Sequence, residues 1–315
     1  MGNYDVIIIG GGPAGLTAAI YTSRARLKTL LLESFTVPGQ AVITSDIENY
    51  PAFPEGINGF DIIDKMKKQA KKFGTEISAK DVKAIKEDRK NAKGFFIMET
   101  EGESFASECV IVATGARPKK LGIPGENEFR GKGVSYCATC DGAFFKDKNI
   151  VVVGGGDTAI EESIFLTRFV RKITIIHRRD RLRATKILEE RALVNKKIEF
   201  ALNSEATEIA GTEKVESVRI RNVKTEKSSV IPCEGVFMFV GYEPNTSFVK
   251  GVVNLDQNGY IITDDNMKTS KEGIFAAGDV RKKLLRQVIT ACGDGAVAAR
   301  SARMYIDELR GTVYK

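Results

Sequence analysis

One local pattern occurs twice in this chain, and the repeat constrains the fold more than any other feature of the sequence. In each copy a β-branched apolar run leads directly into a glycine-rich turn, and an apolar run typical of a helix follows. The two turns read Gly10-Gly11-Gly12-Pro13-Ala14-Gly15 and Gly154-Gly155-Gly156-Asp157-Thr158-Ala159. Glycines at this spacing let the backbone turn tightly and approach a pyrophosphate at the helix N-terminus. The repeat predicts an α/β protein with two Rossmann-like dinucleotide-binding domains.

An acidic residue ends the second strand of the first copy. The apolar run at residues 29–32 leads into Glu33, which lies 21 residues after Gly12. A carboxylate at this position accepts hydrogen bonds from the free ribose hydroxyls of FAD or NAD, and it would repel a 2′-phosphate. The first site is therefore predicted to bind a dinucleotide that has no 2′-phosphate.

Basic residues follow the corresponding strand of the second copy. The run at residues 172–176 ends in His177, Arg178 and Arg179, and Arg178 lies 22 residues after Gly156. Arginine holds a phosphate in a bidentate fork, so these residues and the nearby Arg183 predict NADP in the second site. Two simpler interpretations stay open, namely a solvated basic helix start and a histidine that only packs at the strand end.

A pair of cysteines lies between the two glycine turns. Cys137 and Cys140 are two residues apart, and Asp141 follows directly. Two thiols at this spacing can close a small disulfide ring and exchange two electrons, and the adjacent acid can manage the proton. A helix that starts just after Cys140 would help to lower the pKa of a thiol. The alternatives are half of a zinc site, which would need two more ligands, and two inert buried thiols.

The size and composition limit the remaining classes of protein. With 315 residues the chain can hold two domains with cores of their own. Five cysteines, an odd number, do not form a structural disulfide framework, which favours a reducing compartment. The net charge of +7 is weak support for a nucleic-acid partner. No apolar stretch reaches the length of a membrane span and no basic leader is visible, so we expect a cytoplasmic protein.

The order of the elements predicts a discontinuous first domain. The strand before residues 113–115 returns the chain to the first sheet, and a crossing leads to the cysteine pair and the second copy. We expect residues 1–117 and 245–315 to form the first domain and residues 118–244 to form the inserted second domain. The two short connections, near residues 115–120 and 241–247, would act as a double hinge. The alternation between residues 75 and 111 predicts a small antiparallel sheet.

Taken together, these motifs resemble the low-molecular-weight, NADPH-dependent thioredoxin reductases along essentially the whole chain. The resemblance is carried by both glycine turns with their strand-end residues, by residues 113–115, 137–141 and 277–279, and by Arg286 and Gln287. It departs from that family at Asp157, where many members have a small polar amide. We expect little consequence from this difference.

The resemblance implies FAD in the first domain, NADPH in the inserted domain, and a hydride that passes from NADPH through the flavin to a Cys137–Cys140 disulfide. It implies that Cys140 is nearer the flavin, that Asp141 handles the proton, and that Cys137 attacks the disulfide of thioredoxin. The residues it assigns to FAD are Gly10, Gly12, Pro13, Ala14, Gly15, Glu33, Gly39, Gln40, Asn49, Val82, Ala113, Thr114, Gly115, Gly278, Asp279, Arg286, Gln287 and Val288. The residues it assigns to NADPH are Gly154, Gly156, Asp157, Thr158, Ala159, His177, Arg178, Arg179, Arg183 and Gly241.

Two rival functions remain at this level. One is the same relay with a peroxiredoxin partner or a small-molecule disulfide as the acceptor. The other is a redox sensor in which the cysteine pair only reports the NADPH level. The resemblance also implies a homodimer, with thioredoxin as the protein substrate. From the composition and the spacing of the motifs we expect no metal, nucleic acid or membrane partner.

Overall fold

The computed structural model describes residues 2–34, 39–42, 44, 47, 49–88 and 95–312, and only the backbone of residues 2, 95, 139 and 140. These residues form two compact units, which are Met1–Arg117 with Glu243–Lys315, and Pro118–Tyr242. The second unit is thus inserted into the first along the chain.

The described part of the chain is a mixture of strands and helices. The strands, in chain order, are β1 (Gly2–Ile9), β2 (Thr29–Glu33), β3 (Glu76–Ala79), β4 (Ala84–Asp88), β5 (Phe95–Glu99), β6 (Ser104–Val112), β7 (Ala116–Pro118), β8 (Val134–Ser135), β9 (Asn149–Val153), β10 (Lys172–His177), β11 (Ile198–Leu202), β12 (Ser204–Gly211), β13 (Val215–Asn222), β14 (Ser228–Pro232), β15 (Gly235–Met238), β16 (Tyr242–Pro244) and β17 (Ile274–Ala276). The α-helices are α1 (Pro13–Arg24), α2 (Gly59–Lys72), α3 (Ala138–Asp141), α4 (Asp157–Leu166), α5 (Lys186–Leu193) and α6 (Val288–Leu309).

The sheet of the first unit has the order β3-β2-β1-β6-β5-β4, and β17 also pairs with β6. Strands β1, β2, β3, β6 and β17 pair in parallel, which confirms the predicted Rossmann-like arrangement. The antiparallel sheet predicted for residues 75–111 is only partly correct. Strands β4, β5 and β6 are antiparallel neighbours, whereas β3 pairs in parallel with β2.

Helices α1 and α6 pack together on one face of this sheet. The α1 sequence is rich in alanine, and Ala14, Ala18 and Ala19 are buried. A Cβ at Gly295 of α6 would lie 2.2 Å from the carbonyl oxygen of Ala14. The small residues therefore let the two helix backbones approach closely, next to the first glycine turn.

The second unit contains a parallel sheet with the order β11-β10-β9-β15-β8. Its central strands are β-branched and apolar because both of their faces are covered, and Val151, Val152 and Ile175 have no exposed surface. A separate three-stranded antiparallel sheet, β12-β13-β14, completes the unit.

The two segments that connect the units form a short two-stranded sheet of β7 and β16. On one side of it, the backbone N–H of Asn245 donates to the carbonyl oxygen of Gly115 at 3.0 Å. On the other side, the N–H of Lys119 donates to the carbonyl oxygen of Gly241 at 2.8 Å. A hinge at these segments stays a prediction. In the part of the chain described here, no helix combines the length and apolar character needed to span a membrane.

Candidate functional site

The first glycine turn joins β1 to α1 and is tightly packed at two of its glycines. Gly10 has a φ of +119°, and a Cβ there would lie 2.2 Å from the carbonyl oxygen of Ala113. A Cβ at Gly15 would lie 1.9 Å from the carbonyl oxygen of Gly10. A Cβ at Gly12 would meet no atom of the described residues within 4 Å. The turn therefore leaves open space at the N-terminus of α1, where backbone amides can bind a pyrophosphate.

The start of α1 is also approached from the end of the chain. Pro13 occupies the first helical position, which suits proline because its fixed φ is already helical. Ala14 is buried behind it, and a Cβ at Gly278 would lie 2.8 Å from the Cβ of Ala14. Gly278 has a φ of +76°. The predicted residues of the first turn and Gly278 thus meet at one place.

Glu33 lies where the sequence predicted it, beside the first turn. A Cβ at Gly11 would be 2.2 Å from its Oε2 atom, so the carboxylate packs against the turn. Its Oε1 atom accepts a hydrogen bond from Lys67 of α2 at 2.8 Å. Lys67 was not predicted, because the helical periodicity of α2 does not show which of its lysines faces the carboxyl end of β2.

The carboxyl ends of three neighbouring strands converge on this region. The Ala113 N–H donates to Ile9 at the end of β1, and the Ala277 N–H donates to Val112 at the end of β6. Thr114 is held by Asn245, whose carbonyl oxygen accepts from the Thr114 hydroxyl at 2.7 Å. Gly115 follows with a φ of +63°. In parallel sheets such an edge is the usual place for a bound ligand.

Asp279 directly follows Gly278, and one of its oxygens is buried without a partner. Its Oδ1 atom has no hydrogen-bond partner among the described residues. Burial raises the pKa of this carboxyl group, while Lys283 and Arg286 act in the opposite direction. Buried polar atoms normally have a partner, so the unpaired oxygen suits a ligand that brings a hydroxyl group.

The loop that contains Asp279 is fastened by Asp294 of α6, which the sequence did not reveal. The Asp294 carboxylate accepts hydrogen bonds from the Gly278 N–H at 3.0 Å and from Lys283 at 2.7 Å. It also forms an ion pair with the buried Arg281 at 3.0 Å. These donors come from residues up to 16 positions away in the chain, so local patterns do not show the cluster.

The start of α6 contributes a further group of predicted residues. The Arg286 guanidinium lies 4.1 Å from the ring centroid of Tyr260, and its Nε atom is buried without a partner among the described residues. Gln287 caps α6, which begins at Val288, and accepts a hydrogen bond from Asn49 at 3.0 Å. Asn49 and the start of α6 therefore lie together.

Three further residues assigned to FAD have contacts of their own. The carbonyl oxygens of Gly39 and Gln40 accept hydrogen bonds from Val42 and Thr44 at 3.0 Å each, which closes a turn before α2. Val82 packs, half-buried, against the apolar core of the first unit.

The second glycine turn, between β9 and α4, has the same construction. Gly154 has a φ of +151°, and a Cβ there would lie 2.4 Å from the carbonyl oxygen of Phe239. A Cβ at Gly156 would meet no atom of the described residues within 4 Å. Asp157 opens α4, and its Oδ1 atom accepts a hydrogen bond from the Thr185 N–H at 2.6 Å. Asp157 thus fastens the turn to the start of α5.

Beyond Asp157, the second turn continues into the first residues of α4. Thr158 is half-buried there, and Ala159 is buried. Gly241 follows β15 with a φ of +105°, in the connecting segment.

His177 and the arginines lie at the end of β10, beside the second turn. The His177 imidazole is buried against Gly155, and its Nε2 atom has no partner among the described residues. Burial lowers its pKa, and the charges of Arg179 and Arg178 lower it further. Arg178, Arg179 and Arg183 are exposed, and no ion pair within the described ranges holds their guanidinium groups. The end of β10 therefore presents three cationic side chains to solvent, where an anion can reach them.

The cysteine pair begins two residues after the end of β8. Cys137 is disulfide-bonded, and the side chain of Cys140 lies outside the described residues. The helix predicted to start just after Cys140 begins earlier, because α3 runs from Ala138 to Asp141. Asp141 ends this short helix, half-buried, and its N–H donates to the Cys137 carbonyl oxygen at 3.2 Å.

The remaining cysteines are buried free thiols in both units. They are Cys109, Cys233 and Cys292. Burial raises the pKa of Cys109, and it raises that of Cys233 to about 12, so neither thiol favours the reactive thiolate form. Within the described ranges, no group of three or more histidine, cysteine, aspartate or glutamate side chains is placed so that it could hold a metal ion. Phe144, four residues after Cys140, is 73% exposed and was not singled out by the sequence.

Comparison with known proteins identifies a family with these features. Residues 4–295 match the family described as pyridine nucleotide-disulphide oxidoreductase. A thioredoxin reductase of Listeria innocua is 48% identical over 308 residues, which covers 98% of this chain and 95% of that protein. A thioredoxin reductase of Bacillus subtilis is 48% identical over 311 residues, which covers 98% of this chain and 97% of that protein.

A solved structure agrees with these relatives. The crystal structure of thioredoxin reductase from Lactococcus lactis is similar to this fold with a TM-score of 0.91 and 47% sequence identity. The similarity covers 97% of this chain and 99% of that one. Sequence and structure comparisons therefore point to the same group of proteins.

Proposed function

This chain belongs to the pyridine nucleotide-disulphide oxidoreductase family, among its thioredoxin reductases, and from that premise we propose a specific set of cofactors, roles and a partner for it. The cofactors are FAD in residues 1–117 and 245–315, and NADPH in residues 118–244. The acceptor is the disulfide of a thioredoxin. When bound, the two cofactors would supply a two-electron path from the nicotinamide to the disulfide of Cys137.

The observation that carries the FAD assignment is the buried, unpaired Oδ1 atom of Asp279. A carboxylate in this state suits a ligand with sugar-like hydroxyl groups, and it lies one residue after Gly278, which packs against the start of α1. In this assignment the open turn at Gly12 holds the pyrophosphate and Glu33 accepts hydrogen bonds from the adenosine ribose.

The NADPH assignment rests on the exposed arginines at the end of β10. Arg178, Arg179 and Arg183 form no ion pair within the described residues, so their charges are free to hold a 2′-phosphate. The space at Gly156 and the amides at the start of α4 suit a second pyrophosphate. His177 is buried and packs against the turn at Gly155.

The cysteine chemistry follows from the position of the pair. As a dithiol, Cys137 attacks one sulfur of the thioredoxin disulfide and forms a mixed disulfide, and the sulfur that leaves takes up a proton. Cys140 then attacks Cys137, which restores the Cys137–Cys140 disulfide and releases thioredoxin as a dithiol. We assign to Asp141, next in the chain, the handling of the proton that leaves or returns to the pair.

A protein acceptor also fits the exposed surface beside the pair. Phe144 presents an aromatic ring to solvent shortly after Cys140, and exposed aromatic side chains are enriched where proteins dock. The buried free thiols support a reducing compartment, and hence the cytoplasm. A homodimer completes the proposal, and the molecular mass in solution tests it.

The decisive experiment is anaerobic turnover of the flavin-loaded protein with an oxidised thioredoxin. We expect rapid oxidation of NADPH and an equal production of thioredoxin dithiol, with much slower oxidation of NADH. Cys140→Ser should keep the bound flavin and NADPH but stop thioredoxin reduction, whereas Cys292→Ser, which changes a buried thiol outside the pair, should keep turnover. Thioredoxin reduction that survives Cys140→Ser would contradict the relay. Flavin reduction without thioredoxin turnover would instead show that another disulfide is the acceptor.

A further inference from the structure

A fully buried carboxylate lies in the segment that precedes the cysteine pair. Glu126 has no exposed surface, although this segment is polar and irregular. Its Oε2 atom accepts a hydrogen bond from the Gly122 N–H at 2.6 Å. Its Oε1 atom accepts hydrogen bonds from the Leu121 N–H at 3.1 Å and from the Tyr136 hydroxyl at 2.7 Å. Three donors compensate a charge that burial would otherwise disfavour.

Tyr136 is the residue immediately before Cys137, and its side chain is held at two points. Its hydroxyl group donates to Glu126, and the Arg130 guanidinium lies 5.7 Å from its ring centroid. Burial raises the pKa of Tyr136, and the hydrogen bond to Glu126 raises it further. The Tyr136 hydroxyl therefore stays protonated, and it donates its hydrogen bond to Glu126 at the pH values where thiols and disulfides exchange.

The backbone on the other side of Tyr136 is also fixed. The Cys137 N–H donates to the Ser135 hydroxyl oxygen at 3.1 Å, and this hydroxyl donates to the Cys137 carbonyl oxygen at 3.2 Å. Ser135 ends β8 and is buried. The chain just before Cys137 is therefore held by the two hydrogen bonds of the Ser135 hydroxyl and by the bond between the Tyr136 hydroxyl and Glu126.

We propose that Glu126 is a positioning residue for the cysteine pair, and that it acts through the Tyr136 hydroxyl to hold the backbone at Cys137 in the geometry of the closed disulfide. The proposal rests on the function proposed above, because it assumes that Cys137 and Cys140 cycle between disulfide and dithiol. Closing a disulfide costs less conformational entropy when the chain that contains it is already ordered. Without this restraint, the dithiol form gains freedom and the disulfide becomes easier to reduce.

The competing explanation is that Glu126 only fastens the turn at residues 121–126. In that case the loss of its bond to Tyr136 would lower the stability of the inserted unit and leave the redox equilibrium of the cysteine pair unchanged. The two explanations therefore differ in the dithiol–disulfide equilibrium, which is measured separately from stability and activity.

The test uses Tyr136→Phe, which removes one hydroxyl group from the flavin-loaded protein. The protein is equilibrated anaerobically with graded ratios of reduced to oxidised dithiothreitol, the thiols are trapped by acid and alkylation, and peptides containing Cys137 and Cys140 are counted by mass spectrometry. We expect the equilibrium to shift toward the dithiol about tenfold, the scale of one hydrogen bond to a charged group. For a two-electron couple this equals about 30 mV.

The chain offers a matched control in its other unit. The Tyr4 hydroxyl donates to Glu76 at 2.7 Å, the same kind and length of bond as that between Tyr136 and Glu126. Tyr4→Phe should leave the equilibrium of the cysteine pair unchanged. An equilibrium that is also unchanged in Tyr136→Phe would overturn the proposal and leave Glu126 as an anchor of its turn.

Glu126→Gln provides a second, independent variant that keeps the size of the side chain. It should shift the equilibrium in the same direction, and the double variant with Tyr136→Phe should shift it no further than the larger single change, because both act through one bond. Additive shifts would contradict that coupling. A wild-type pair that fails to exchange with dithiothreitol or thioredoxin would instead remove the proposed function, and that result appears before any variant is compared.

Discussion

The two glycine turns of this molecule have nearly the same backbone and different surroundings. In both, the first glycine has a positive φ, of +119° at Gly10 and +151° at Gly154, and its missing Cβ makes room for a carbonyl oxygen at the end of another strand. In both, the third glycine, Gly12 or Gly156, faces open space. The fold thus forms the same cradle twice, at residues 10–15 and at residues 154–159. Any difference in ligand must come from the residues around each cradle.

The two turns differ in the side chain that packs against the middle glycine. A missing Cβ at Gly11 makes room for the Glu33 carboxylate, and at Gly155 it makes room for the His177 imidazole. The residue that corresponds to Glu33 in space is therefore His177, which lies 21 residues after Gly156 as Glu33 lies 21 residues after Gly12. The prediction from the sequence had instead compared Glu33 with Arg178, one residue further along. The arginines come next in the chain and are exposed. Because the two turns are alike, the proposed choice between FAD and NADPH has to come from the residues at the strand ends.

The largest effect is expected from a change within one cradle. Gly10→Ala places a Cβ 2.2 Å from a carbonyl oxygen at a φ of +119°, which should lower the free energy of unfolding by about 3 kcal/mol. Gly12→Ala meets open space, so it should leave the stability of the flavin-free protein nearly unchanged and weaken FAD binding instead. Urea unfolding and FAD titration of both variants separate the two roles. Equal losses of stability would refute the distinction between the packed and the open glycine.

The next effect should appear at the second cradle, in the choice of nucleotide. Replacing Arg178 and Arg179 by glutamine removes the two charges proposed to hold a 2′-phosphate, so kcat/KM for NADPH should fall about tenfold to a hundredfold. The value for NADH should change little, since NADH has no 2′-phosphate. Arg171→Gln, an exposed arginine before β10, serves as the control. If the ratio of the two kcat/KM values stayed the same, the arginines would not be the phosphate site.

Most of both cradles was predictable because their elements are local. A strand, a glycine turn and a helix are adjacent in the chain, so spacing alone located Gly10, Gly154 and Glu33. The contacts that residues of the two cradles make with distant elements were missed. Lys67 reaches Glu33 from α2, and Asp157 reaches Thr185 across 28 residues. Only tertiary packing brings such pairs together, and no single-sequence pattern marks them.

The cysteine region shows the same limit at closer range. The spacing of the pair and the adjacent acid predicted its redox chemistry, whereas the start of the neighbouring helix was misplaced, because α3 begins at Ala138, before the second cysteine. Elements of one turn have too few residues for a periodic pattern. The buried Glu126 was likewise hidden, since an acid in a polar segment is usually solvated and only the fold shows its three donors.

A smaller effect is expected from the partner of Glu33 in the first cradle. Lys67→Met removes the cation that balances this carboxylate, so the site becomes more negative where an anionic pyrophosphate must bind. Because the pair is partly exposed, the loss should be modest, up to about 1 kcal/mol or fivefold in the dissociation constant of FAD. Lys68→Met is the matched control, since Lys68 pairs with Asp64 at the surface of the same helix. Tighter FAD binding by Lys67→Met would mean that the lysine competes with the ribose for Glu33.

The smallest effect concerns the counterpart of Glu33 in the second cradle, and it depends on pH. An unfolded chain protonates His177 below about pH 6.5, whereas burial, Arg179 and Arg178 lower the pKa of the folded imidazole. The unfolded state therefore binds the proton first, so the stability that neutral His177 contributes is fully present above pH 6.5 and declines as the pH falls below it. His177→Asn should remove this part of the pH dependence. Melting temperatures of both proteins at pH 7.5 and 5.5 test this, and parallel declines would show that the imidazole does not titrate in this way.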